Sequence, residues 1–390
     1  MTISISYQDI KTSVAAAPAG TRIELDNQWY GFDRLLINKH LTIAGTYQQL
    51  DGRPTFNSAQ WGDNPTYEIK KKLTGTVLHC TASDGAAVKV NNRATLNLEN
   101  IALFGTGADV TGIEYQGGVN YIDYGANHHW STVAFCNFKV GIRAYTWYQC
   151  AAKHIQLWGC DIGAILGEPK VGSVEGQGIT GCTLSDWDSS GCRIGVELRN
   201  FGNTSRMVGC TFQGYSDTAL LIKYAVNATF EDLYFEAVAP ANYAIDFQKG
   251  SSCKFKGGKF GAPPTNPEWV TFNFAAEAVG NEYEYYPQGM GKTIVNGGYN
   301  KLVGIGDVKA LVTLYGMGSE LHCIIPSTYT PPGMSPQATF ITAIYGTEDV
   351  TRRGGIAYMN IDPIRVSPDG SKWRGSMSNQ GVETWTKIAV

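Results

Sequence analysis

The sequence predicts an all-β chain wound as a parallel β-helix, and three observations predict it. Short apolar segments recur at a step in the low-to-mid twenties, the range of a solenoid coil. Six of the seven recurrences carry Gly, Asn or Asp at a fixed place, the residue types that accept a left-handed backbone. The composition fits: 46 Gly, 21 Tyr and 9 Trp in 390 residues, with 43% apolar and only 17% charged, favours turn-rich β structure over helical bundles.

The chain opens with "YQDIKTSVAAA" (Tyr7–Ala17), whose helical spacing predicts a cap over the first coil. A solenoid needs one because its terminal coil exposes unpaired edges and core. "TRIELDNQWY" and "LLINKHLTIAG" follow as the first coil.

The repeat is read from "LENIAL" (Leu98), "VAFCNF" (Val133), "LWGCDI" (Leu157), "ITGCTL" (Ile179), "MVGCTF" (Met207), "FEDLYF" (Phe230) and "FKGGKF" (Phe255). In this alignment the third column is Asn100, Phe135, Gly159, Gly181, Gly209, Asp232 and Gly257, a predicted bend. The fourth holds Cys136, Cys160, Cys182 and Cys210. A small residue repeated at one inward column reads as a stacked core row rather than metal ligands, since free Cys behaves as a small hydrophobe. The nine cysteines are odd in number and have no C-x-x-C spacing, which predicts reduced thiols and neither zinc nor redox motifs.

A second strand follows each repeat: "TGIEY" (Thr111), "VGIRA" (Val140), "IGAIL" (Ile162), "IGVEL" (Ile194), "TALLI" (Thr218) and "YAIDF" (Tyr243). Alternation places positions three and five in the core and two and four outside. Position two, Gly112, Gly141, Gly163, Gly195, Ala219 and Ala244, then forms a smooth floor. Position four beside it reads Glu114, Arg143, Ile165, Glu197, Leu221 and Asp246.

From about Val308 the repeat fades into alternating strands, "ALVTLYG", "ELHCIIP" and "TFITAIYG", and a hairpin-like close, "SPDGSKWRGSMSNQGVETWTKIAV". The expected organisation is a capping segment at 1–20, a parallel β-helix at 21–307 and a C-terminal β domain at 308–390. A net charge of −3 with basic residues clustered only at Lys70–Lys72 leaves no footprint for nucleic acid. No run approaches the ~18 apolar residues of a membrane span, and the N-terminus lacks the pattern of a secretory signal.

The order "SVAAAPAGTRIELDNQWY…LLINKHLTIAG" resembles the opening of pectate-lyase-like right-handed parallel β-helices, especially bacteriophage tailspikes and capsule depolymerases. The resemblance covers roughly Met1 to Gly306. It implies a homotrimer supported by the C-terminal domain, a place in the phage tail or baseplate through another module, and synthesis in the host cytoplasm. It also implies cleavage of a bacterial surface polysaccharide, capsule or O-antigen. The large head-binding domain of many tailspikes is missing from this sequence, and so are the acidic calcium clusters of pectate lyases. No cofactor and no metal are expected.

The expected chemistry is endo-acting glycoside hydrolysis by paired carboxylates. Glu197 and Asp246 fall in one column two coils apart, ~9.6 Å at the backbone, close to the ~6.5–9.5 Å that leaves room for a water between two carboxyls. Asp188, Asp217 and Glu236, in the neighbouring turns, are further catalytic candidates. Trp187, Asp186 and Tyr215 are expected as walls for sugar stacking and hydroxyl bonding, and Arg143, Tyr145, Arg199 and Lys223 as binding groups along the track. Asp232 reads as a bend residue. The enzymatic alternative is a lyase acting by β-elimination through His128, His129, Tyr145 and Arg143. The non-enzymatic one is an adhesin using the same groove.

Overall fold

A computed structural model describes residues 1–5, 9–48, 73–91, 93–107, 109–116, 125–168, 178–237, 241–261, 269–285, 292–305, 312–314, 320–325, 339–344, 364–366, 372–377 and 383–388. The Lys70–Lys72 run and the segment 327–337 lie outside them. The chain is a parallel β-helix: two long sheets of 20 and 16 strands run its length, and successive strands pair in parallel, coil upon coil.

One coil shows the plan. Ile194–Leu198 lies in the second sheet, and the chain passes through Phe201–Gly202 to a corner at Asn203. Arg206–Val208 and Thr211–Tyr215 then lie in the first sheet, parted by a bend at Gly209, and Thr218–Ile222 starts the next coil.

The bend is a single left-handed residue repeated on seven consecutive coils. Pairing aligns Asn100, Thr132, His154, Asp186, Gly209, Asp232 and Gly257, and each has φ between 52° and 64°. Asn100, Gly209, Asp232 and Gly257 are the bend residues that the sequence predicts. On the three coils between Asn100 and Gly209, Thr132, His154 and Asp186 replace the expected Phe135, Gly159 and Gly181. Gly159 and Gly181 also have positive φ, but they turn other corners. The paired starts are accordingly Leu98, Trp130, Ala152, Leu184, Met207, Phe230 and Phe255.

This register also redistributes the cysteines. Cys210 lies buried in the core. Cys136 packs instead on the outside of the first sheet, with Tyr47, Leu73 and Trp158. Cys150 lies over Cys182 and its amide donates to the Cys182 sulfur (3.4 Å). The eight cysteines from Cys80 to Cys253 are all buried, and none of them is in a disulfide.

Inward residues stack like with like at the coil spacing. Phe212, Phe235 and Phe260 form one column with centroids 5.2 and 5.3 Å apart, and Phe230 lies 4.5 Å over Phe255. Each such pair contributes ~0.5–1.5 kcal/mol beyond its area. Near the N-terminus, Thr2–Ile5 adds a strand to Thr21–Leu25. The helix Ile10–Ala16, capped by the Asp9 side chain accepting from the Lys11 amide, buries Ile10 and Val14.

Parallel pairing continues past residue 307, through Val312–Leu314 and Glu320–Ile325. It turns antiparallel where Glu320–Ile325 meets Thr339–Ile344. The strands 364–366, 372–377 and 383–388 form a small antiparallel sheet. Among the described residues no helix is long and apolar enough to cross a membrane.

Candidate functional site

The position-two residues do not form an outward floor. All are buried, and a Cβ on Gly195 would sit 2.4 Å from the Ala219 carbonyl oxygen and 2.7 Å from the Phe212 ring. These residues point toward the core, where coils approach most closely. The outward face of the second sheet is therefore carried by position four and by the residues just past the strand ends.

Position four pairs as expected: Glu114 with Arg143, Arg143 with Ile165, Ile165 with Glu197, Glu197 with Leu221, and Leu221 with Asp246. Asn273 continues the column. Glu197 is 5% exposed, Leu221 8% and Asp246 8%. Beside them Arg199, Lys223 and Gln248 follow paired residues on successive coils.

The carboxylates are held differently. Arg199 Nε donates to Glu197 Oε1 at 2.8 Å. Asp246 accepts from two amides, Asn273 Nδ2 on Oδ1 at 2.7 Å and Gln248 Nε2 on Oδ2 at 2.9 Å. The Arg199 guanidinium also donates to Glu168, whose other oxygen accepts from Arg143 Nη1 at 3.0 Å. Glu168 thus clamps two arginines across the row. Burial raises the Tyr145 hydroxyl above its ordinary value and the Glu114 charge adds to this, while a hydrogen bond with Arg143 opposes them. Lys223 is exposed and has no ion-pair partner among the described residues.

The leading corner of this face carries a charge ladder. Lys139 pairs with Asp109, and Arg193 bridges Asp161 (2.7 Å) and Asp217 (3.2 Å). Asp217 also accepts from Asn242 Nδ2 at 2.9 Å. Tyr243, opening the strand that bears Asp246, has its hydroxyl raised by burial and then by the charges of Asp246 and Asp217.

The structure separates the remaining candidates. Trp187 and Tyr215 are each 1% exposed in the core, so neither walls a groove. The left-handed bend at Asp186 changes the alternation, and Trp187 turns inward to donate from Nε1 to the Ala152 carbonyl at 2.9 Å. Tyr215, next to the positive-φ Gly214, also turns its ring into the core one coil on. Asp186 is half-exposed and lies 3.5 Å from His154 Nε2. Asp188 and Glu236 stand on the first sheet, away from the column of Glu197.

The elimination constellation is also divided. His128 is 1% exposed and its Nδ1 accepts from the Leu96 amide at 3.1 Å. His129 begins a first-sheet strand, whereas Arg143 lies in the second-sheet strand Val140–Ala144 and Tyr145 just past its end.

Glu168, Tyr243 and Asn273 were not singled out by sequence reasoning. Glu168 follows Gly167, a positive-φ residue that carries the chain beyond the strand pattern. "VTFNF" has Thr271 where the earlier strands have Gly or Ala, which hid Asn273 at position four.

No protein-family model matches the chain and no curated protein does. Among solved structures it is similar to tailspike protein 2 of Escherichia coli O157:H7 bacteriophage CAB120, at 12% identity and TM-score 0.43, over 73% of this chain and 35% of that one. It is also similar to the DFA-IIIase of Arthrobacter chlorophenolicus A6, at 14% and 0.39, over 81% and 79%. A third likeness is to tailspike gp49 of Acinetobacter baumannii bacteriophage Fri1, a capsular polysaccharide depolymerase, at 10% and 0.29, over 73% and 52%. The chain spans about a third of the length of the first and half that of the third.

Proposed function

We propose that the outer face of the second sheet holds a polysaccharide along the solenoid axis and hydrolyses it within the chain, with Glu197 and Asp246 as the reacting carboxyls. The observation that carries this reading is their shared outward column, with one neutral residue, Leu221, between them. Two coils separate the backbones by ~9.6 Å, and modest side-chain reach brings the carboxyls into the spacing that admits a water.

The partners suggest the roles. A guanidinium cannot accept a hydrogen bond, so Arg199 suits a Glu197 that stays ionised and acts as base. A side-chain amide offers a donor and an acceptor, so Gln248 or Asn273 can turn its oxygen to a protonated Asp246. Glu197 takes a proton from water as the water oxygen bonds to the anomeric carbon. The glycosidic bond breaks, and Asp246 gives its proton to the departing oxygen. Arg143, Arg199, Lys223 and Tyr145 line the track, and Lys223, exposed and with no ion-pair partner among the described residues, suits a chain with acidic sugars. With the sequence resemblance, this describes a tailspike-type depolymerase of capsule or O-antigen, working as a homotrimer on the phage tail.

The test is release of reducing ends from capsular polysaccharides and O-chains, followed alongside ultraviolet absorbance. New reducing ends without absorbance support hydrolysis. Absorbance from an unsaturated uronate overturns it in favour of elimination, and binding without cleavage leaves an adhesin.

A further inference from the structure

Two pairs of cysteines lie one above the other on the same two coils, and hydrolysis at Glu197 does not use them. Tyr148 pairs with Thr180 and Ala151 with Thr183, which sets Cys150 over Cys182 at the corner entering the first sheet. Trp158 pairs with Ser190 and Ile162 with Ile194, which sets Cys160 over Cys192 at the corner leaving it. Within each pair the two thiols are hydrogen-bonded to each other. The Cys150 sulfur also contacts the Tyr148 carbonyl and the Cys182 sulfur the Thr180 carbonyl, both at 3.4 Å, so these two side chains run in one direction. Other cysteines are aligned differently: Cys136 pairs with Phe104 and Trp158, and Cys80 with Phe32.

We propose that these are two disulfide sites, Cys150–Cys182 and Cys160–Cys192, which staple coil to coil at both corners of the first sheet when the chain folds in an oxidising medium. Aligned residues on neighbouring coils are ~4.8 Å apart, inside the ~4.4–6.8 Å between Cα atoms that a disulfide spans. The oxidant is a small disulfide such as oxidised glutathione. One cysteine thiolate attacks it, forming a mixed disulfide and releasing one glutathione. The second thiolate attacks the protein sulfur of that bond and releases the other. Two protein thiols thus become one disulfide, and oxidised glutathione becomes two thiols that take up the protons. All four cysteines are at most 3% exposed, so the exchange takes place on the chain before these coils close. A chain folded under reducing conditions keeps its thiols and, once folded, is protected from oxidation.

The denatured full chain is refolded with oxidised and reduced glutathione, or with reductant alone, and its disulfides are mapped by peptide mass spectrometry after the remaining thiols are blocked. The oxidised sample should carry both links, with the other cysteines blocked, and should melt roughly 5 °C above the reduced one. Cys182→Ser and Cys192→Ser should each remove one link and part of that rise. Ser205 lies over Cys182 in the same corner column, which shows that serine fits there. Absence of both links, other pairings, or links that leave the melt unchanged would each overturn the proposal, and absence of one link would overturn it for that pair. If the denatured chain does not refold, the folded chain is held with oxidised glutathione just below its melting temperature, where coils open, and the same outcomes decide.

Discussion

Glu197 and Asp246 sit on the same outward column two coils apart, with Leu221 filling the coil between. The interval is fixed by the ladder and not by a flexible loop, so the carboxyls approach or part only by side-chain rotation. Glu197→Gln and Asp246→Asn should each cut reducing-end release by ~10²–10⁴-fold, the range of general acid–base catalysis, with polysaccharide affinity little changed. The first product anomer seen by proton NMR should be inverted, because the spacing leaves room for water. A retained anomer would mean that the carboxyls close to ~5 Å, and the pair would then be misassigned.

Glu168 holds Arg143 and Arg199 together, and all three side chains are at most about a third exposed. Glu168→Gln leaves two guanidiniums facing each other with one neutral acceptor. A loss of ~1–2 kcal/mol is expected, since hydrogen bonds to charged groups contribute about that much. The loss should shrink in high salt, which screens the remaining repulsion. Denaturant titration at low and high salt checks both; equal stability of variant and parent in each would show that the clamp contributes nothing.

The repeat was legible where coil length and bend chemistry agree. From Met207 to Phe255 the steps are short and the bend is Gly or Asp, so the expected and paired columns coincide. They part by three to five residues at Trp130, Ala152 and Leu184. There the bend falls on Thr132 and His154, which sequence does not mark as left-handed, while Gly159 and Gly181 mark other corners. The same ambiguity explains the site. Glu197, Asp246, Arg143 and Arg199 lie on or beside an uninterrupted strand, where alternation fixes the outward face. Trp187 and Tyr215 each follow a left-handed residue that reverses it. Glu168 lies beyond a strand end, where no periodicity reaches.

Gly195 offers a test of the close approach between coils. A methyl there meets the Ala219 carbonyl oxygen at 2.4 Å and the Phe212 ring at 2.7 Å. The first of these is backbone and can yield only if the ladder shifts. Gly195→Ala should therefore destabilise the chain by ~1–3 kcal/mol, as overpacked cores do, although the same change at an exposed strand position is mild. Thermal melting of the variant checks this. A melt matching the parent would mean that the second sheet can open locally, as it does to hold Ala219 and Ala244 in the same column.

His128 makes the acid sensitivity of the fold testable. It heads a buried corner column continued by Cys150, Cys182, Ser205, Ala228, Cys253, Asn281 and Asn300. Several members accept a backbone amide from the coil before: His128 from Leu96 (3.1 Å), Ser205 from Cys182 (3.2 Å) and Asn281 from Cys253 (3.0 Å). Burial lowers the His128 imidazole from 6.5 to about 3. The unfolded chain thus binds a proton below about pH 6.5 that the folded chain refuses. The stabilisation is complete above that pH and drains away as pH falls toward 3, by up to ~1.4 kcal/mol per pH unit. Asn281 shows that an amide oxygen serves at this corner, so His128→Asn should keep the Leu96 bond and remove this part of the slope. Denaturant titrations of parent and variant at pH 7.5, 6 and 5 read the difference directly. Parallel slopes would show that His128 takes up its proton without unfolding the coil.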